Sequence, residues 1–218
     1  MAGYDLKSYT INEDYHSEDE LWSAINTVFQ SKSRNSTSYK FCFLKAILDN
    51  IFNVDAQLVL PFYTVFERFA EIYWNLIIKF GLKQMPGEKL TVAEKLIQGC
   101  AAKYALCPET SFDALRDEIK LELCTQVTKG CSRFVVGALC EDTRKIFYGF
   151  SKEQQFIKFN PDAYSFLCKF GYVLTKLNYF EWVKYLEKVN VTETAFALAS
   201  KLDASTKREN LSFYSEIS

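Results

Sequence analysis

Between Pro61 and Gly81 the apolar residues recur at every third or fourth position: Phe62, Val65, Phe66, Phe69, Ile72, Tyr73, Leu76, Ile77 and Phe80. That spacing follows the turn of an α-helix and fits no strand, whose side chains alternate between faces. Proline suits the first turn of a helix, and glycine suits the left-handed residue that ends one. The spacing therefore predicts a helix from Pro61 to Phe80 with Gly81 just past its end. So wide and aromatic a stripe must be covered on more than one side. Its most apolar stretch, Ile72 to Phe80, includes Asn75 and Lys79 and is too short to span a membrane.

The same period supplies the covering elements. Ser17 and Glu20 have the form of a capping box, followed by Leu21, Trp22, Ile25, Val28 and Phe29, which predicts a helix over 18–30. Ser36, Thr37 and Ser38 offer caps for a largely buried helix over 38–52, with Phe41, Leu44, Ile47, Leu48 and Ile51 in one stripe. Thr91 and Glu94 form a second capping box and open a helix to about Leu106. Ser111 to Val127 has helical spacing through Phe112, Leu115, Ile119 and Leu123, and Lys129-Gly130 reads as its end. Asn160-Pro161-Asp162 starts a further helix through Leu177, and short helices follow over 180–189 and from Thr192 to about Leu202.

One segment breaks the pattern. Lys145 to Phe150 and Gln155 to Phe159 are aromatic and β-branched, and Ser151-Lys152-Glu153 lies between them, which reads as a hairpin. The expected fold is mainly α: a multi-helix, bundle-like domain with one small β-hairpin near 144–159. A polar, irregular N-terminus over 1–16 precedes a single domain over 17–218, with a soft sub-boundary near 130–145.

Composition excludes most familiar chemistry. The 218 residues contain one histidine, His16, so a Ser-His-Asp hydrolase or a zinc hydrolase would have to run on it alone. The seven cysteines are odd in number and no C-x-x-C occurs, which argues against a zinc ribbon. They read as free thiols in a reducing, cytoplasmic compartment. No apolar leader is recognisable at the N-terminus. There is no P-loop, G-x-G-x-x-G or G-x-S-x-G. Two carboxylate arrangements bear on metal or acid–base chemistry. Glu118-Ile119-Lys120 fits half of a restriction-type nuclease core but lies in a helical stretch, and Glu67 and Glu71 are one helical turn apart beside Arg68. Solvated helix faces account for both more simply. The chain alone reads as non-catalytic, with no cofactor.

Net charge is −1, but it is unevenly spread. Residues 1–20 carry six acids against Lys7, whereas residues 21–48 carry no acid and four bases, Lys32, Arg34, Lys40 and Lys45. Within the second stretch, Lys32, Arg34, Ser36, Thr37, Tyr39 and Lys40 combine bases and hydroxyls at a helix start. Backbone N–H groups, the helix dipole and the bases would all favour a phosphate there. These six are the candidate nucleic-acid contacts.

The same stretch carries a resemblance. Ser36 to Leu48, with Tyr39-Lys40-Phe41 at its start, resembles the opening helix of bacterial proteins that end in an HNH endonuclease domain. Leu60-Pro61-Phe62 with Phe69, Tyr73-Trp74 and Gln84 is similar to that family's next helix. Ile157 to Val189, with Leu177 and Glu181-Trp182, resembles its later helical region, and Arg208 to Tyr214 the short helix leading to the nuclease. In that family an HNH module follows, with C-x-x-C knuckles and a histidine that activates water at a metal. The resemblance implies that such a module would begin beyond Ser218. The chain is then expected to be a non-catalytic helical domain of an HNH-type nuclease, or a partner to one in cis or trans. The setting would be restriction or phage defence, and the role to contact DNA or position the nuclease. The alternative, fitted by near-neutral charge and aromatic richness, is a stand-alone interaction module or phage-encoded inhibitor without DNA binding. A homodimer is compatible with either reading, and no membrane partner is expected.

Overall fold

The computed structural model describes Ile11 and residues 14–29 and 36–207. Among them are seven α-helices: α1 (Glu18–Phe29), α2 (Tyr39–Asp49), α3 (Phe62–Trp74), α4 (Val92–Lys103), α5 (Asp117–Asp142), α6 (Pro161–Val189) and α7 (Ala195–Thr206). Three short strands, β1 (Val59–Pro61), β2 (Tyr148–Ser151) and β3 (Phe156–Phe159), form one antiparallel sheet in the order β1-β3-β2. The fold is mainly α, as the spacing of apolar residues implies.

The organising element is α2. Its residues from Tyr39 to Leu48 are all buried, and it packs against α3, α5 and α6. A helix buried all round is stable only when wrapped, and each fully buried Phe or Leu contributes about 1.5–3 kcal/mol. Beneath it, α3 carries an aromatic ladder. Phe62 and Phe66 have ring centroids 6.0 Å apart, Phe66 and Phe69 5.5 Å, and Phe69 and Tyr73 4.7 Å. Phe43 of α2 joins it 5.4 Å from Phe66. These separations fall within the preferred range for tilted and edge-on aromatic pairs.

Local signals set several boundaries. The Ser17 N–H donates to Glu20 Oε2 at 2.9 Å and the Glu20 N–H to Ser17 Oγ at 3.3 Å, so α1 opens on the expected capping box. α3 runs into a π-helical turn over Asn75–Lys79. Gly81 follows with φ +62°, and the Leu82 N–H donates back to the Leu76 carbonyl at 2.9 Å.

Several expectations change. α5 does not stop at Lys129-Gly130; it continues to Asp142 and makes the segment 130–142, near the expected sub-boundary, part of one 26-residue helix. Gly130 is a contact point instead. A Cβ there would lie 2.9 Å from Val92 Cγ1 and 3.0 Å from Leu96 Cδ1, so glycine lets α4 lie close against α5. The two helices expected over 161–189 are one. Asn178, in the middle, is fully buried, and its Nδ2 donates to the Phe41 carbonyl at 2.9 Å. Its amide ties α6 to α2 rather than turning the chain. The hairpin, finally, has a third strand. β1 pairs with β3 in the register Val59↔Lys158, Leu60↔Ile157 and Pro61↔Phe156. β2 starts later than expected, because Arg144 and Lys145 take left-handed φ angles of +54° and +62° as the chain leaves α5.

A candidate basic cleft at the start of α2

The residues before α2 are held by a buried polar network. The Ser38 N–H donates to the Gln84 carbonyl at 3.1 Å, and Ser38 Oγ donates to Gln84 Oε1 at 2.7 Å. With that proton committed, the Tyr73 hydroxyl donates to Ser38 Oγ at 2.6 Å. The Gln84 N–H donates to Glu94 Oε1 at 2.9 Å, while Glu94 Oε2 accepts from the Thr91 N–H at 2.6 Å. Glu94 is thus shared between its own capping box and the turn before α4. Ser38, Gln84, Thr91 and Glu94 are all buried. Each polar group finds a partner, the condition under which such a network rigidifies a structure.

In front of this wall lies a cleft of about 940 Å³ between the start of α2, the 85–92 connection, α4 and α5. Its lining includes four cations, Lys40, Lys89, Lys95 and Arg133, against one carboxylate, Asp142. Lys40 Nζ is bound to Asp142 Oδ2. The other three are exposed and make no ion pair among the described residues. Leu90, Val92, Phe134 and Ala138 give the cleft apolar surface. The Arg133 guanidinium carbon lies 4.6 Å from the Phe134 ring centroid, a cation–π contact within the lining. The arrangement presents positive charge beside an aromatic wall.

The six sequence candidates divide. Lys32 and Arg34 lie outside the described residues. Ser36 and Thr37 line the cleft, and Thr37 Oγ1 accepts from the Tyr39 N–H at 3.4 Å. Tyr39 turns inward. It is 5% exposed, its hydroxyl accepts from the Ala93 N–H at 2.8 Å, and its ring packs edge-on against Phe69 and Tyr73. Burial pushes its phenol well above the ordinary value. It supports the wall and leaves no open face for a base. Lys40 is buried and its charge is matched by Asp142. The α4 N-terminus is occupied too, by Thr91, Glu94 and the Tyr39 hydroxyl. The linear pattern does not single out Lys89, Lys95 or Arg133. Lys89 and Lys95 flank the legible Thr91 box, but nothing local links them to Arg133.

The carboxylates resolve otherwise. Glu71 pairs with Arg68 Nη1 at 2.6 Å. Glu118 sits exposed in the first turn of α5, and Lys120 Nζ donates to the Asp113 carbonyl at 3.0 Å. Among the described residues no group of three or more His, Cys, Asp or Glu side chains could hold a metal ion. The His16 N–H donates to Asp162 Oδ2 at 2.9 Å, fastening the lead of α1 to the start of α6. No described helix is long and apolar enough to cross a membrane.

No family model, curated protein or solved structure matches this chain.

Proposed function

We propose that this chain is a non-catalytic, cytoplasmic helical domain that engages the phosphate backbone of DNA through its basic cleft. In this reading it serves an HNH-type nuclease, in cis or in trans, in restriction or phage defence. One observation carries the DNA part: Lys89, Lys95 and Arg133 surround a single cleft and none has an acidic partner among the described residues. Unmatched cations on one concave surface raise the local potential and attract polyanions. Phosphate neutralisation by each of them releases counterions and makes binding salt-dependent. The link to a nuclease rests on the resemblance at Ser36–Leu48, Leu60–Phe62 and Ile157–Val189.

The test is anisotropy of a fluorescein-labelled oligonucleotide between about 50 and 200 mM salt. Reversing all three charges, Lys89→Glu, Lys95→Glu and Arg133→Glu, should abolish binding, and each single neutralisation should lower the salt slope by about 1. Binding that survives the triple reversal, in protein with unchanged circular dichroism, sinks the reading.

A second reading is favoured by α6, where Tyr172 and Phe180 are 77% and 61% exposed on one outward face. Exposed aromatics of that size suit a protein partner, including a second copy of this chain. Light scattering separates the two: a dimer unchanged by oligonucleotide supports this alternative.

A further inference from the structure

We infer that the cleft takes an unpaired nucleoside phosphate, with the base on the Arg133–Phe134 stack and the phosphate among Lys89, Lys95 and Arg133. This rests on the reading of the cleft as a nucleic-acid site and narrows what enters it. The first ground is size. At about 940 Å³ the cleft falls in the range of small-molecule pockets, about 300–1,000 Å³. A duplex offers a convex backbone and bases stacked out of reach, so it would meet only the rim. A nucleotide that has left the stack fits inside. The second ground is chemistry. Leu90, Val92 and Phe134 supply an apolar wall next to the cations, and a phosphate alone has no use for one. An unstacked base does. Proteins that hold single strands place bases on aromatic rings or on guanidinium planes, and here a guanidinium lies 4.6 Å from the Phe134 ring centroid. The third ground is rigidity. The wall behind is fastened by the Ser38–Gln84–Glu94 network, so the slot is formed before any ligand arrives.

A free nucleotide and the end of a single strand share this chemistry, and the experiment separates them. Equilibrium binding is measured for a nucleoside triphosphate, a single-stranded oligonucleotide and the matching duplex, on the full chain. The single strand should bind at least tenfold more tightly than the duplex. If the triphosphate competes with it, the ligand is a free nucleotide; if only the strand binds, the ligand is a strand end; either supports the inference. Arg133→Lys keeps the charge and loses the plane, and Phe134→Leu keeps an apolar side chain and loses the ring. Each should weaken single-strand binding about tenfold, the size expected of one base stack, and leave duplex binding unchanged. Lys176→Glu on α6, outside the cleft, should change nothing. Equal affinity for single strand and duplex, with both cleft variants silent, overturns this inference and leaves the DNA-binding reading standing. Loss of binding in Lys176→Glu alone moves the site to α6 and overturns both. No binding of any of the three ligands also overturns both.

Discussion

Arg68 Nε lies 2.8 Å from Asp49 Oδ2, so the middle of α3 holds the last residue of α2. The same guanidinium pairs with Glu71 at 2.6 Å and donates to the Thr206 carbonyl at the end of α7. Arg68 is 1% exposed. Burial alone would lower its pKa, but Asp49 and Glu71 more than offset that, and it stays charged. Removing one partner of a buried ion pair strands the other. Arg68→Ala should therefore destabilise by about 3–5 kcal/mol, read from urea midpoints. Arg68→Lys should recover only part of it, since an ammonium lacks the planar fork that reaches three acceptors. A loss below about 1 kcal/mol for Arg68→Ala would show that the three contacts are not coupled to folding.

Two helical glycines should respond oppositely to alanine. Gly99 lies exposed in α4 with nothing within 4 Å of an added Cβ. Gly99→Ala should stabilise by about 0.5–1 kcal/mol through helix propensity and lost unfolded-state freedom. Gly130→Ala has the same propensity gain but drives a methyl against Val92, and overpacking costs about 1–3 kcal/mol. It should come out destabilising, and pairing it with Val92→Ala should restore part of the loss. Thermal melts of the four proteins check both signs.

The seven cysteines are all free thiols, and their reactivity should follow burial. Burial pushes Cys124, Cys131 and Cys140 up to about 12, and Cys42 is raised as well. A thiol must ionise to react, so these four should resist iodoacetamide at pH 8 in native protein and label together on unfolding. Cys107 is exposed and Cys168 half-buried, and both should label first. Peptide mass mapping over time decides the order; early labelling of Cys131 would contradict the packing around Tyr39.

Glu122 should titrate below an ordinary glutamate. Hydrogen bonds from Lys103 and Tyr104 hold its carboxylate ionised, and Gln126 adds to them. Its contribution to stability is present above the unfolded-state pKa and is lost as pH falls through the lowered folded-state value. Carbon-detected NMR of the side-chain carboxyl measures that midpoint. Lys103→Met should move it back toward the ordinary range, because Lys103 is the largest cause.

Short-range signals in the sequence locate most helices, because caps and stripes are written within a few residues. Ser17 with Glu20, Thr91 with Glu94 and Gly81 each act where their spacing says. The failures come where a distant element decides. Gly130 reads as a helix end and becomes a helix contact once Val92 faces it. The stretch after Leu177 reads as the gap between two helices and becomes mid-helix once Asn178 is tied to the Phe41 carbonyl. β1 is three residues long and exists only because β3 pairs with it. The candidate site follows the same rule. Ser36 and Thr37 are legible at a helix start, whereas Lys89, Lys95 and Arg133, which have no acidic partner among the described residues, converge only through packing. Lys40, one of the candidate bases in the linear reading, is spent on Asp142.

The pairing of Leu60 with Ile157 sets a schedule for the chain as it leaves the ribosome. α1, α2, β1 and α3 all emerge before β3, with the aromatic ladder and a strand edge uncovered. At about 5–20 residues per second, the partner strand follows roughly 5–20 s later. The Thr206 carbonyl that Arg68 needs comes later still. During that interval the nascent protein presents what chaperones recognise: an apolar face and an unpaired edge. A nascent chain halted before residue 156 therefore keeps that face and that edge uncovered, and with them an exposure to aggregation and proteolysis that ends only when β3 pairs with β1.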